Sequence, residues 1–200
     1  MKKREAEIKR KTRETDISGK LVIDGKGNAN IKTGIGFLDH MLELFAFHGL
    51  FDLELKAKGD LNVDMHHTNE DIGIAIGLAF KNALGDCRGI KRYGSASIPM
   101  DKAKANVAID ISNRYDFERN IPSHNPKTEE EYSYEDGMDF LDSFAKKLSI
   151  NLHLEVVSGF DLHHILEAVF KAFGVALDQA TQIDPRRKGI PSTKGIIVDD

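Results

Sequence analysis

Apolar residues along the chain switch between a period of two and a period near 3.6, and the switches mark out its elements. An extended run over 15–23 meets a turn at Asp24-Gly25-Lys26-Gly27 and resumes over 28–33, which predicts a hairpin. Phe37, Leu38, Met41, Leu42, Leu44 and Phe45 then recur at helical spacing, after a turn at Gly34-Ile35-Gly36 and before the stop signal His48-Gly49. "FDLELKAKGD" alternates as a half-buried strand does, and residues 66–84 return to helical period with Gly85 as the stop. Two further strands are predicted over 92–98 and 105–111, around a Pro99-Met100-Asp101 turn. An exposed loop is predicted over 120–135, where two prolines and the run Glu129-Glu130-Glu131 fall. A helix from Gly137 (Phe140, Leu141, Phe144, Leu148), a strand over 150–157 and a helix over 163–180 follow, then a polar tail ending "GIPSTKGIIVDD".

The second half repeats the first. Sliding the chain along itself by 97 places lays Asp64, His66, His67, Glu70, Ala75, Gly77, Ala79 and Ala83 on Asp161, His163, His164, Glu167, Ala172, Gly174, Ala176 and Ala180. "FLDH" at 37–40 is echoed by "FLDS" at 140–143, and "DLELKAKGD" by the alternation of "NLHLEVVSG". The pattern predicts an α+β fold made by internal duplication, with helices packed on sheet and a hairpin, helix, strand, helix unit in each copy. The expected division is a charged arm 1–13, half-repeats 14–98 and 99–184, and a tail 185–200.

Composition narrows the classes. With 200 residues, 40% of them hydrophobic, the chain can bury a proper core. A formal net charge of −4 is no electrostatic footprint for nucleic acid, and the Lys- and Arg-rich first thirteen residues read as a solvated arm. No apolar stretch is long enough for a signal peptide or a membrane span, so no membrane partner and a cytoplasmic location are expected. The single cysteine, Cys87, reads as core packing in a reducing compartment.

The duplicated Asp-x-His-His-x-x-Glu carries the chemistry. On a helix, His66 and His67 stand four and three residues from Glu70, so each can share a face with it. Adjacent histidines diverge by about 100° around the axis, so the pair suits two different ions on either side of the helix. His40 and His153 add one imidazole each at positions where the other half has Ser143 and Glu54. Six imidazoles with Glu70 and Glu167 form two nitrogen-rich sets with a hard oxygen, suited to manganese, iron or zinc. Asp64 and Asp161 stand ready to orient an imidazole. His48 and His124 read as helix-end and loop residues. A duplication kept only for packing would retain Ala and Gly without needing paired imidazoles.

These residues carry a family resemblance. "TRET" at 12–15, "TGIGFLDHMLELFAFHG" at 33–49, "GDLNVDMHHTNEDIGIAIG" at 59–77, "GIKRYG" at 89–94, "PMD" at 99–101, "HHILEAVFKAFGVAL" at 163–177 and "PSTKG" at 191–195 resemble, in order and spacing, the imidazoleglycerol-phosphate dehydratases. The resemblance implies two similar βαβ-type halves of the ribosomal protein S5 domain 2-like kind. It also implies trimers assembled into a homo-oligomer of twenty-four subunits, with two Mn2+ ions per site between subunits, and His40, His66, His67, Glu70, His153, His163, His164 and Glu167 as ligands. The implied substrate contacts are Glu14, His40, His66, His67, His163 and His164, with a phosphate grip from Arg92, Arg114, Lys171, Ser192, Thr193 and Lys194.

Glu14 is the implied acid/base, with Glu167 beside it in catalysis, and the implied reaction dehydrates imidazoleglycerol phosphate to imidazoleacetol phosphate in histidine biosynthesis. It would run through a metal-bound imidazolate and a diazafulvene-like intermediate. The chain departs from the family where Gly-x-Asn becomes Gly159-Phe160-Asp161 and Ser-Gly-Arg-Pro becomes Ser112-Asn113-Arg114-Tyr115. A dinuclear phosphate-releasing hydrolase and a metal-storing assembly protein are the competing classes.

Overall fold

The basic start of the chain is a strand, not an arm. In the computed structural model, which describes residues 3–120 and 132–193, β1 (Glu5–Lys11) alternates beneath its charges. Ile8 is buried and Ala6 and Arg10 are half-covered, while Glu7, Lys9 and Lys11 stay exposed. The hairpin partner of β2 (Asp16–Val22) is therefore β1. The strand expected to pair there, β3 (Ala29–Lys32), lies at the opposite edge, parallel to β4 (Asp52–Lys58), in the order β1-β2-β4-β3. Asp52 Oδ1 draws it across, accepting from the backbone N–H groups of Lys26 and Asn28 at 2.8 and 3.0 Å and from the Asn28 amide at 2.9 Å. α1 (Gly36–His48) then supplies the crossover that a parallel pair requires, and α2 (His66–Leu84) follows β4.

The second half repeats this topology with β5 (Tyr93–Met100), β6 (Ala103–Asp110), β7 (Asp116–Arg119), α3 (Tyr134–Leu148), β8 (Asn151–Ser158) and α4 (Leu162–Thr181), in the order β5-β6-β8-β7. Each half is thus βββαβα, one strand more than the alternation predicts. β7 escaped notice because it is four residues long and lies at a sheet edge. Pro99 belongs to β5, opposite Lys104, and the reversal comes at Asp101-Lys102, with Asp101 at φ +49. The expected division at 98/99 falls inside β5, so the halves part between α2 and β5. The loop predicted over 120–135 is shorter, because a capping box between Ser133 and Asp136 starts α3 at Tyr134; residues 121–131 lie outside the described residues. Cys87 is half-buried against the core.

Helices cover the inner face of each sheet and then pack on each other, α1 against α4 and α2 against α3. Phe45, Phe80, Phe144 and Phe173 fill the space between, with ring centroids 5.0 to 6.2 Å apart. Glycines let the backbones close up: a Cβ on Gly77 would lie 2.6 Å from the Phe144 carbonyl oxygen, and one on Gly174 2.5 Å from that of Phe45. Both pairs run parallel, since His40 meets Glu167 where Phe45 meets Phe173, and Gly73 meets Phe140 where Gly77 meets Phe144. Within each half both helices begin where the parallel strands end. All four helix starts therefore gather at one end of the molecule.

The close approach has a measurable consequence. Gly77→Ala forces a methyl against backbone and is expected to lower stability by roughly 1–3 kcal/mol. Gly36→Ala, with no atom within 4 Å of the added methyl, is expected to be neutral or slightly stabilising. Urea unfolding midpoints of the two variants test this, and equal effects would remove the helix-contact explanation.

Candidate active site

At the gathered helix starts, α1 contributes His40 and α4 contributes His163 and Glu167. His40 Nε2 and His163 Nε2 lie 3.0 and 3.1 Å from the same carboxylate oxygen, Glu167 Oε1. Lys171, one helical turn on, donates to Glu167 Oε2 at 2.6 Å. Glu167 is buried, which pushes its carboxyl upward; hydrogen bonds from Lys171 and His40, with their charges, outweigh burial and hold it at about 2. An ionised carboxylate thus stands between two imidazoles and an ammonium.

α2 builds the counterpart. His66 Nε2 is 3.9 Å from Glu70 Oε2, and its Nδ1 is 3.5 Å from Asp139 of α3. His67 turns away from its neighbour, with ring centroids 6.2 Å apart, and meets Asp60 at 3.4 Å and Glu14 at 3.9 Å. The Asp60 hydrogen bond, with the Glu14 charge behind it, raises the His67 imidazole above its usual value. Phe37 links the two groups: it stacks on Tyr132 at 5.2 Å and meets the His163 ring edge-on at 5.2 Å, while the Tyr132 hydroxyl donates to Asn69 Oδ1 on α2 at 2.9 Å.

His164 diverges from His163 as His67 does from His66, and lies 3.6 Å from Asp101 and 3.7 Å from Asp161. Asp161 caps α4 by accepting the His164 N–H at 2.9 Å, as an asparagine oxygen would. Asp60, Asp101 and Asp139 were not singled out from sequence, since each lies on a different element from the histidine it meets. The only advance signal was that Asp60 and Asp101 fall inside the matching motifs.

The remaining candidates stand elsewhere. His153 is on the exposed face of β8, beside a concave surface of about 760 Å³ that Asn106, Glu118 and Glu155 also line. Arg92 sits at the C-terminal end of α4, its N–H bonded to Ala180 O at 2.9 Å, so roughly 25 Å of helix separates it from His163. Asp110 grips Arg92 at 2.6 and 3.0 Å, and Arg92 Nη1 donates to Pro191 O at 3.0 Å, bringing the tail to it. Arg114 is close by in the topology, its carbonyl bonded to Asn151 Nδ2 at 3.0 Å, and Tyr93, Asp110, Asn151 and Asp116 form one row across the sheet end. Asn113 takes φ +57, a conformation that glycine adopts freely and asparagine tolerates. Ser192 and Thr193 follow Pro191; Lys194 lies outside the described residues.

A divalent ion fits what is present. The ligand atoms of His40, His163 and Glu167 lie within 4.8 Å of one another, as do those of Glu14, Asp60 and His67. Imidazole nitrogen with carboxylate oxygen suits borderline ions, and no thiolate is near.

Comparison with known proteins agrees in sequence and in fold. Residues 33–177 match the family model described as imidazoleglycerol-phosphate dehydratase. Proteins of that name from Thermoanaerobacter sp. (strain X514) and Geobacillus sp. (strain WCH70) are 54% and 53% identical to the chain, each over 97% of it and over 100% and 99% of their own lengths. The crystal structure of IGPD from Pyrococcus furiosus in complex with (S)-C348 superimposes with a TM-score of 0.80 at 36% identity, over 94% of this chain and 98% of that one. The dehydratase from Staphylococcus aureus subsp. aureus N315 gives 0.79 at 33%, over 90% and 99%.

The Glu167 environment predicts a pH dependence. A carboxyl held below its unfolded value of 4.5 contributes stability that is fully present above that pH and lost as pH falls toward 2. Lys171→Met removes its strongest opposing partner, so the metal-free variant is expected to lose less stability than the parent between about pH 5 and pH 3. Urea midpoints across that range read the difference, and parallel curves would rule out Lys171 as the group responsible.

Proposed function

The chain belongs to the imidazoleglycerol-phosphate dehydratase family, hydro-lyases of histidine biosynthesis, and on that footing we propose how its own residues carry out the dehydration. The substrate is imidazoleglycerol phosphate, the product imidazoleacetol phosphate, and the enzyme a cytoplasmic, metal-dependent homo-oligomer. The observation that carries the reading is the pair of imidazole–carboxylate clusters at the helix starts, with Glu14 held beside one of them.

His40, His163 and Glu167, together with His66, His67 and Glu70, are the residues that would hold two manganese ions, completed by His164 and His153. Bound there, divalent ions supply Lewis-acid stabilisation of negative charge developing on the substrate's imidazole ring. Glu167 stays ionised and holds His40, His163 and Lys171 by hydrogen bonds. Glu14 moves the protons: its carboxylate takes the C–H proton from the carbon beside the one that loses hydroxide, and the resulting enol becomes the ketone. Arg92, Arg114, Ser192, Thr193 and Lys194, with Lys171, bind the phosphate through cationic and hydroxyl donors.

Geometry supports a site shared between copies. The imidazole-holding end of α4 and the end that Arg92 packs against lie roughly 25 Å apart in one chain, and the three-carbon chain that joins the substrate's imidazole to its phosphate spans far less. This separation supports a reading in which Arg92 and Arg114 reach the phosphate from a different copy than the one holding the imidazole, with Lys171 at the imidazole end, as a 24-mer built from trimers with sites between subunits would provide.

The first test strips the protein with a chelator, restores manganese and follows imidazoleglycerol phosphate by mass. Manganese-dependent loss of one water is expected. Release of inorganic phosphate would instead make the enzyme a hydrolase and sink the proposal. Glu14→Gln is expected to keep metal and substrate binding while kcat falls by at least about a hundredfold; near-normal turnover would reject its role.

A further inference from the structure

We propose that Asp71, buried on α2, is a positioning residue that sets the place of Glu14, an inference that rests on the acid/base role just assigned to Glu14. Glu14 itself is exposed, at the tip of the β1–β2 turn, where a free carboxylate would sweep a wide volume. The turn is anchored at its base. Thr12 N–H donates to Thr15 O at 2.9 Å, and Thr12 Oγ1 accepts from the N–H groups of Glu14 and Thr15 at 3.1 and 3.0 Å. Both threonine hydroxyls meet at 3.1 Å, and the Thr15 hydroxyl donates on to Asp71 Oδ2 at 2.5 Å.

The other oxygen of Asp71 takes Arg10 from the strand before the turn, with Nε and Nη2 at 2.8 and 2.6 Å. One carboxylate therefore holds both ends of the turn, Arg10 on entry and Thr15 on exit. Thr15 is 3% exposed and Asp71 8%, so little water competes for these bonds. Asp71 follows Glu70 and stands four residues after His67, so the helical turn that presents His67 also fixes the turn that presents Glu14. The 3.9 Å between Glu14 and His67 is thus set by bonds that touch neither residue's side chain. Asp71 touches no substrate in this arrangement; it acts through Thr15 and Arg10.

The test uses the manganese-loaded enzyme. Thr15→Val removes the hydroxyl bond to Asp71 together with the hydroxyl contact to Thr12, and kcat is expected to fall roughly tenfold or more with KM and bound manganese unchanged, since displacements near 1 Å cost up to about a hundredfold. Thr15→Ser keeps the hydroxyl and is expected to restore kcat. Asp71→Asn, if it folds, is expected to fall further. In a Glu14→Gln background the loss from Thr15→Val should vanish, because the position of an absent carboxylate no longer matters. An undiminished loss there, or a near-normal kcat in Thr15→Val, would overturn the positioning role. Should Glu14→Gln itself prove fully active, the acid/base reading fails and the positioning role with it; an inactive Glu14→Gln beside an active Thr15→Val fails the positioning role alone.

Discussion

Everything at the site depends on the close, parallel packing of helices from opposite halves. If α1 and α4 ran antiparallel, His40 would lie beside the last turn of α4, a whole helix away from His163 and Glu167. Glycines at 73, 77 and 174 allow the approach, and the phenylalanine cluster holds it. The arrangement has an electrostatic cost, because aligned helices place their positive ends side by side. Acidic side chains at those starts oppose it: Asp39 in the first turn of α1, Asp64 accepting the His66 N–H, Ser133 with Asp136 on α3, and Asp161 on α4. Asp64 and Asp161 also place anions beside His67 and His164 before any ion binds.

The duplication was readable because the helices bearing it are long and keep their register. Residues 66–84 agree with α2 to the residue, and the 97-place offset aligns Gly77 with Gly174, two glycines that meet a backbone carbonyl on a facing helix. The sheets were less readable. Nothing in the alternation of residues 28–33 says which neighbour it will find, and the decision came from Asp52, more than twenty residues away in sequence. Charge concealed β1, whose lysines and glutamates line the outer face while Arg10 is neutralised by Asp71 beneath it. β7 was too short for any periodicity to show.

Much the same division runs through the site. His-His-x-x-Glu states its own geometry, since helical spacing brings His163 onto Glu167 and His66 towards Glu70. It does not tell which residues of other elements meet the second histidine of each pair. Asp60 and Asp101 do so from a loop and a turn, and Asp139 reaches His66, the first of its pair, from a helix; the placement of all three is tertiary. Arg92 is the sharpest case. Its motif suggested a phosphate donor, yet its guanidinium is already engaged by Asp110 and by the Pro191 carbonyl, so any phosphate role must share it with the tail it anchors.

The exposed carboxylates and the buried ones divide the work between them. Glu167 and Asp71 are buried, each satisfied at both oxygens, and such groups fix geometry because moving them would break several bonds at once. Glu14 and Glu70 are exposed and loosely engaged, with their nearest imidazole nitrogens at 3.9 Å. A carboxylate that must exchange protons needs that looseness at its tip, but not at its base. On the proposed reading the β1–β2 turn reconciles these needs by tying a mobile side chain to an immobile backbone, and the basic strand that resembled an arm is what makes the turn possible.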